Sequence, residues 1–175
     1  AGLDSERLAQ LSRELLQRLT NADLSTDAFP FMRSKRITVG GVDVVALRVS
    51  FTGDLGWELY CPVADQVELY RALLKAGAEV GAGPVGSRAL MSLRVEKGYG
   101  SWSREYSPEY WPQEVRFDRL IKMDKGAFLN RDAYAAIAEK PARDQLIMLS
   151  IAAKDADATG GEPIFLPDGT PIGQV

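Results

Sequence analysis

The 175 residues, 46% of them hydrophobic, suffice for one domain or one and a fraction with a filled core. With 24 acidic against 21 basic residues the net charge is -3, which leaves no electrostatic case for a nucleic-acid partner, and no apolar run approaches the roughly 20 residues of a membrane span. There is no histidine, the commonest general base and metal ligand, and the lone Cys61 excludes an internal disulfide and fits a reducing compartment such as the cytoplasm.

Asp4 or Ser5 is placed to cap a helix reaching to about Leu19, with Leu8, Leu11, Leu15, Leu16 and Leu19 on one apolar stripe. Ile37–Val39 and Val42–Val49 flank Gly40-Gly41, a strong hairpin signal. Ser50 to Tyr60 reads as strand, tight glycine turn, strand, and Pro62 closes it. Side chains alternate along a strand, so Trp57 and Leu59 share one face and Glu58 and Tyr60 the other. Asp65 to Ala76 predicts a helix with Val67, Leu69, Tyr70, Leu73 and Leu74 inward and Gly77 at its C-terminal cap. The loop Gly81–Gly86 has neither the spacing of a dinucleotide fingerprint nor the Lys-Ser/Thr of a phosphate loop. Ser87 then caps a helix over Arg88–Glu96, with Ala89, Leu90 and Leu93 inward, ended by Gly98.

From Tyr99 to Phe117 no period is evident, although the segment is rich in Trp, Tyr, Ser and Pro. Leu120–Met123 reads as a strand, and Asn130 caps a helix to about Glu139 that Pro141 follows. Gln145–Ile151 reads as an apolar strand. Pro163–Leu166 and Pro171–Val175 form a hairpin around Pro167-Asp168-Gly169-Thr170. The expected fold is α+β: an antiparallel sheet flanked by helices over residues 1–142, then the opening of an all-β unit over 143–175. The chain begins at Ala1 and stops inside an apparent strand, so both ends read as cut from a longer polypeptide.

The most informative chemistry is Glu58. A carboxylate is acceptor-only and can take two parallel hydrogen bonds from a 2-aminopyrimidinone edge, such as that of a pterin. The plainer alternative is an exposed strand glutamate paired with Arg or Lys.

Several runs occur together in one order: Ala28-Phe29-Pro30-Phe31-Met32, Gly40-Gly41-Val42, Ser50–Tyr60, Leu93–Tyr99, Pro112-Gln113-Glu114, Lys122–Lys125, Phe128–Arg131 and Gly160–Ile164. The ordered set resembles the folate-binding aminomethyltransferase region shared by the glycine-cleavage T-protein and the C-terminal halves of dimethylglycine and sarcosine dehydrogenases. Phe-Pro-Phe-Met and Glu-Lys-Gly-Tyr are closer to the dehydrogenase branch.

The resemblance implies that the intact protein passes a one-carbon unit to tetrahydrofolate, forming methylene-tetrahydrofolate. The donor would be an N-methyl amine acid or an aminomethyl group, with a lipoyl carrier protein or a fused FAD domain as partner. It implies the middle subdomain of that fold, followed by the start of a C-terminal β-barrel. The family's catalytic aspartate lies in a subdomain not contained here, so no catalytic residue is expected in this chain, nor turnover by it alone. The location would be cytoplasmic, or the mitochondrial matrix in a eukaryote.

Residue by residue, the resemblance makes Glu58 the pterin clamp. Phe51, where the T-protein usually has Tyr, becomes a ring neighbour of the pterin. Arg88 becomes a partner for the folate glutamate-tail carboxylates, and Tyr99 and Trp102 entrance residues. Arg94 and Glu96 read better as a structural network. Arg116 stands where the family commonly has glycine, a departure that would either reshape the wall near the folate tail or mark a member that uses another substrate. The alternative reading is a non-catalytic folate-binding or interaction module. The cysteine-bearing segment of the iron–sulfur-assembly relatives is absent.

Overall fold

The computed structural model describes residues 5–156 and 158–175. The chain divides into two compact units, one ending at Ser101 and one beginning at Trp102. The fold class is α+β, with small antiparallel sheets and helices.

In the first unit, α1 (Ser5–Gln17) buries Leu16 and half-buries Leu11 and Leu15, and Leu19, just past its end, is also half-buried. The expected Asp4 cap lies outside the described residues, as do the side chains of Ser5 and Leu8. The helix stops short of Leu19 because the Gln17 amide donates to the Thr20 and Ala22 carbonyls, at 3.0 and 2.9 Å, and fixes a turn.

β1 (Ser34–Val39) and β2 (Val42–Leu47) pair antiparallel, with Val39 opposite Val42. Gly40 at φ +59 and Gly41 at φ +90 make the two-residue turn, a conformation that strongly favours glycine. β2 alternates as a half-buried strand should: Val42, Val44 and Ala46 are buried. β3 (Glu58–Tyr60) adds to its other edge, with Leu47 opposite Glu58, Ala46 opposite Leu59 and Val45 opposite Tyr60. The core consists of Leu16, Leu24, Phe29, Val39, Val42, Val44, Ala46 and Leu69, with Trp57, Leu59 and Leu73 packed against it.

The first arm expected at Ser50–Phe51 is not a strand. β2 ends at Leu47, and Arg48 turns inward, its backbone N–H donating to the Arg33 carbonyl at 2.9 Å and its guanidinium to the Phe29 carbonyl. Residues 48–57 are therefore an irregular loop between β2 and β3.

α2 (Gln66–Ala78) follows a short 3-10 turn at Val63–Asp65. It meets the core through Leu69 and Leu73, whereas Val67, Tyr70 and Leu74, expected inward, stand exposed. Gly77 is not a cap. It sits buried within the helix, where a Cβ would lie 3.2 Å from Leu15 Cδ1 and 3.0 Å from Ala82 Cβ, so its small size is what the packing uses.

α3 (Ser87–Glu96) starts at Ser87 itself, with Gly86 in the capping position and no side-chain cap. Leu90 and Leu93 are exposed, and the buried residue on this helix is Arg94. The helix ends as expected at Gly98, in a Schellman arrangement: Gly98 N–H bonds the Val95 carbonyl at 2.8 Å and Tyr99 N–H the Arg94 carbonyl at 3.0 Å.

In the second unit, α4 (Arg131–Ala138) matches expectation, but Asn130 has φ +62 and makes no capping hydrogen bond. β4 (Pro163–Phe165) and β5 (Pro171–Gln174) form the expected hairpin, with Asp168 Oδ1 accepting the Thr170 N–H at 2.9 Å. Residues 120–123 and 145–151 are not strands. A strand persists only where a neighbour takes its backbone groups, and among the described residues neither segment pairs with another strand. Ile147, Met148, Leu149 and Ile151 are exposed accordingly.

Candidate functional site

β3 projects Glu58 and Tyr60 together from the outer face of the three-stranded sheet, while Trp57 and Leu59 pack inward, as the alternation predicts. Trp57 lies tilted against Phe29, ring centroids 6.4 Å apart, which anchors the strand from below. Above it, the Tyr60 hydroxyl donates to Glu58 Oε2 at 2.7 Å. That hydrogen bond, then the Glu58 charge, pushes the Tyr60 hydroxyl above its ordinary value. Glu58 is exposed, and no ion pair with Arg or Lys engages it among the described residues. One carboxylate oxygen is held by the hydroxyl, and on this exposed residue the other has no hydrogen-bond partner among the described residues. Tyr60 was not among the expected site residues, although its position two residues on in the same strand was the signal for it.

Phe51 is half-buried in the 48–57 loop. The same loop reaches the end of α3, where Lys97 Nζ stands 3.4 Å from Asp54 Oδ1. Tyr99 follows two residues later and is exposed, its carbonyl accepting Arg94 Nη1 at 2.9 Å. Arg94 is thus the structural tie expected of it. Arg88 lies at the opposite end of α3, about 14 Å along the axis from Lys97. It is exposed, and its guanidinium has no acidic partner among the described residues. Phe51 and Tyr99 lie three and two residues in sequence from Asp54 and Lys97, the pair that joins loop to helix, and no hydrogen bond or ion pair joins Arg88 to Glu58 among the described residues. Trp102 belongs to the second unit, where it is largely exposed and bridges to Tyr106.

The second unit contains a polar cluster that sequence reasoning missed. Glu114, fully buried, accepts Arg143 Nε at 2.9 Å and Arg143 N–H at 2.8 Å through Oε1. Through Oε2 it accepts Arg143 Nη2 at 2.8 Å and the Trp111 N–H at 2.7 Å. The guanidinium also lies 4.3 Å over the Trp111 ring. The Arg143 hydrogen bonds, outweighing burial, hold the Glu114 carboxyl down at about 2. Nothing local in the sequence pairs position 114 with 143. Beside this cluster Arg116 adopts φ +62, the left-handed conformation that suits the glycine expected there. Among the described residues no group of three or more His, Cys, Asp or Glu is arranged to hold a metal ion, and no helix is long and apolar enough to cross a membrane.

Comparison with known proteins gives the family of the chain. Residues 11–125 match the GCVT N-terminal domain family, and the chain belongs to that family. It is 38% identical over 155 residues to mitochondrial dimethylglycine dehydrogenase of Homo sapiens, covering 88% of this chain and 18% of that protein. It is 43% identical over 123 residues to mitochondrial sarcosine dehydrogenase of Homo sapiens, covering 70% of this chain and 13% of that protein. It is 32% identical over 149 residues to an aminomethyltransferase of Thermoanaerobacter sp. (strain X514), covering 82% and 40%. The chain therefore spans less than half the length of each of these curated relatives.

Proposed function

We propose that the intact protein is a folate-dependent one-carbon enzyme and that this chain supplies its pterin clamp. The observation that carries the reading is Glu58, exposed on β3, with one oxygen held by the Tyr60 hydroxyl and the other without a hydrogen-bond partner among the described residues. The donor set of a pterin edge fits a carboxylate held in this way, because its ring N–H and amino group ask for two acceptor sites side by side. Arg88, exposed and without an acidic partner among the described residues, fits the glutamate-tail carboxylates, which a guanidinium grips bidentately. Phe51 and Tyr99 supply ring faces near the loop, and Trp102 an exposed indole.

When bound, tetrahydrofolate supplies the acceptor for the one-carbon unit and leaves as methylene-tetrahydrofolate. The residues of this chain bind and orient it. The carbon donor would be an N-methyl amine acid, oxidised in a separate FAD domain, or an aminomethyl group borne by a lipoyl carrier. Residues 1–142 and 143–175 would correspond to a folate-binding subdomain and the start of a β-barrel. We assign no catalytic residue to this chain and expect no turnover from it alone. The compartment would be the cytoplasm, or the mitochondrial matrix if the source is eukaryotic.

Calorimetry with tetrahydrofolate on the intact protein and on Glu58→Gln tests the clamp. Loss of a charge-assisted hydrogen-bond pair worth about 1.5–3 kcal/mol should weaken binding roughly 10- to 150-fold. Equal affinity in the variant refutes the role of Glu58. Folate binding without one-carbon transfer by the intact protein would favour the non-catalytic folate-binding or interaction module instead.

A further inference from the structure

The loop that delivers β3 has no secondary structure of its own, so something else must set its shape. Two features of Lys97, the residue capping the end of α3, do so. Its aliphatic stem occupies the space beside Gly53, where a Cβ would meet Lys97 Cγ at 2.7 Å and Cδ at 2.9 Å. Its ammonium lies 3.4 Å from Asp54 Oδ1, and both side chains are partly shielded, 39% and 22% exposed. Asp54 Oδ1 is itself buried and takes no hydrogen bond, so the ammonium is the compensation for that oxygen. Lys97 in turn is fixed, because its backbone lies in the Schellman end of α3, beside the buried Arg94.

We propose that Lys97 is a positioning residue: held at the end of α3, it clamps the 50–57 loop through Gly53 and Asp54 and so sets the angle from which Glu58 meets its ligand. The effect on ligand binding rests on the folate reading above, whereas the effect on the loop does not. The asymmetry of the pair gives the proposal a distinctive signature. Removing the ammonium strands a buried carboxylate oxygen, which the loop must open to hydrate. Removing the carboxylate leaves an ammonium that water already reaches.

The test uses the intact protein and the variants Lys97→Met, which keeps an apolar stem, Asp54→Asn, their combination, and Lys97→Arg. Amide hydrogen exchange of residues 51–57 is read by mass spectrometry, and tetrahydrofolate affinity by calorimetry. In Lys97→Met the loop amides should exchange about tenfold faster with α1 and α2 unchanged, in Asp54→Asn by less, and in the combined variant by less than in Lys97→Met. Lys97→Arg should restore protection. Affinity should fall in the same order, by about 3- to 10-fold for Lys97→Met. Unchanged loop exchange in Lys97→Met overturns the proposal. Faster exchange with wild-type affinity overturns its positioning half. If the wild-type protein does not bind tetrahydrofolate, the functional reading fails, and the exchange order alone decides the clamp.

Discussion

Gly40 is the position at which backbone conformation and packing converge, and Gly40→Ala measures both. An alanine there would keep φ near +59, a left-handed conformation that costs an L-residue roughly 1–2 kcal/mol, of which about 0.4–1 returns because the unfolded chain loses freedom. Its Cβ would stand 2.7 Å from the Ala72 Cβ of α2, well inside the ~3.5–4.0 Å at which carbon atoms rest. The hairpin or the helix must therefore shift, and overpacking of this kind costs about 1–3 kcal/mol. The expected destabilisation is about 2–4 kcal/mol, a large part of the roughly 5–15 kcal/mol of a typical domain. Gly41→Ala is the control. It has the same sign of φ, but its nearest neighbour would be Glu68 Oε1 at 3.9 Å, so only the conformational strain of about 1–2 kcal/mol applies, less the same return of about 0.4–1. Urea unfolding followed by circular dichroism and tryptophan fluorescence reads both. Gly40→Ala combined with Ala72→Gly should be less destabilised than the sum of the single variants by about 1–3 kcal/mol, because the clash partner is gone. Strict additivity, or equal costs for Gly40→Ala and Gly41→Ala, would refute the packing argument.

Other outcomes follow from single sites. Phe29→Ala, at a fully buried ring against Trp57, should cost about 3–5 kcal/mol in the same urea assay. Arg116→Gly should stabilise the protein by up to about 1 kcal/mol, since glycine releases the left-handed strain and returns part of the gain as unfolded-state entropy; a loss of stability would show that the Arg116 side chain contributes instead. Glu114 has a folded value of about 2 against an ordinary 4.5, so its contribution is present above pH 4.5 and disappears as pH falls through about 2. An acid titration of Trp111 fluorescence should show a transition in that window, and Glu114→Gln should remove the pH dependence; an unchanged titration curve in the variant would refute it.

The legible parts of the fold were those specified by neighbours in sequence. Gly40-Gly41 between β-rich runs, the Pro-Asp-Gly turn at 167–169, the helices and the Gly98 terminus all follow from local backbone chemistry. Which side of α2 is buried did not. Val67, Tyr70 and Leu74 are as apolar as Leu69 and Leu73, and the choice is made by close packing at Gly40 and Gly77. The strands expected at 120–123 and 145–151 had the right composition, but pairing is a property of a partner, which composition does not supply. Glu58 and its orientation were legible because strand alternation is local. The Glu114–Arg143 pair was not, since 29 positions separate two residues that only tertiary structure brings together.

These two carboxylates show how chemically identical groups take opposite roles. Glu114 is sealed from water and spends every lone-pair direction on Arg143 and the Trp111 N–H, so it has no acceptor capacity left for a ligand. Glu58 is exposed and has one oxygen occupied by the Tyr60 hydroxyl, which a phenol's ordinary value already keeps protonated at neutral pH. A ligand with two adjacent donors can still pair with both oxygens, because the Tyr60 hydroxyl takes only one lone pair of Oε2, and it meets a carboxylate whose rotation Tyr60 has already restricted. Tyr60→Phe should therefore weaken tetrahydrofolate binding by less than Glu58→Gln does, because what it adds is the entropy of ordering the Glu58 rotamer on binding. If Tyr60→Phe equals Glu58→Gln in calorimetry, the hydroxyl contacts the ligand directly rather than orienting the acid.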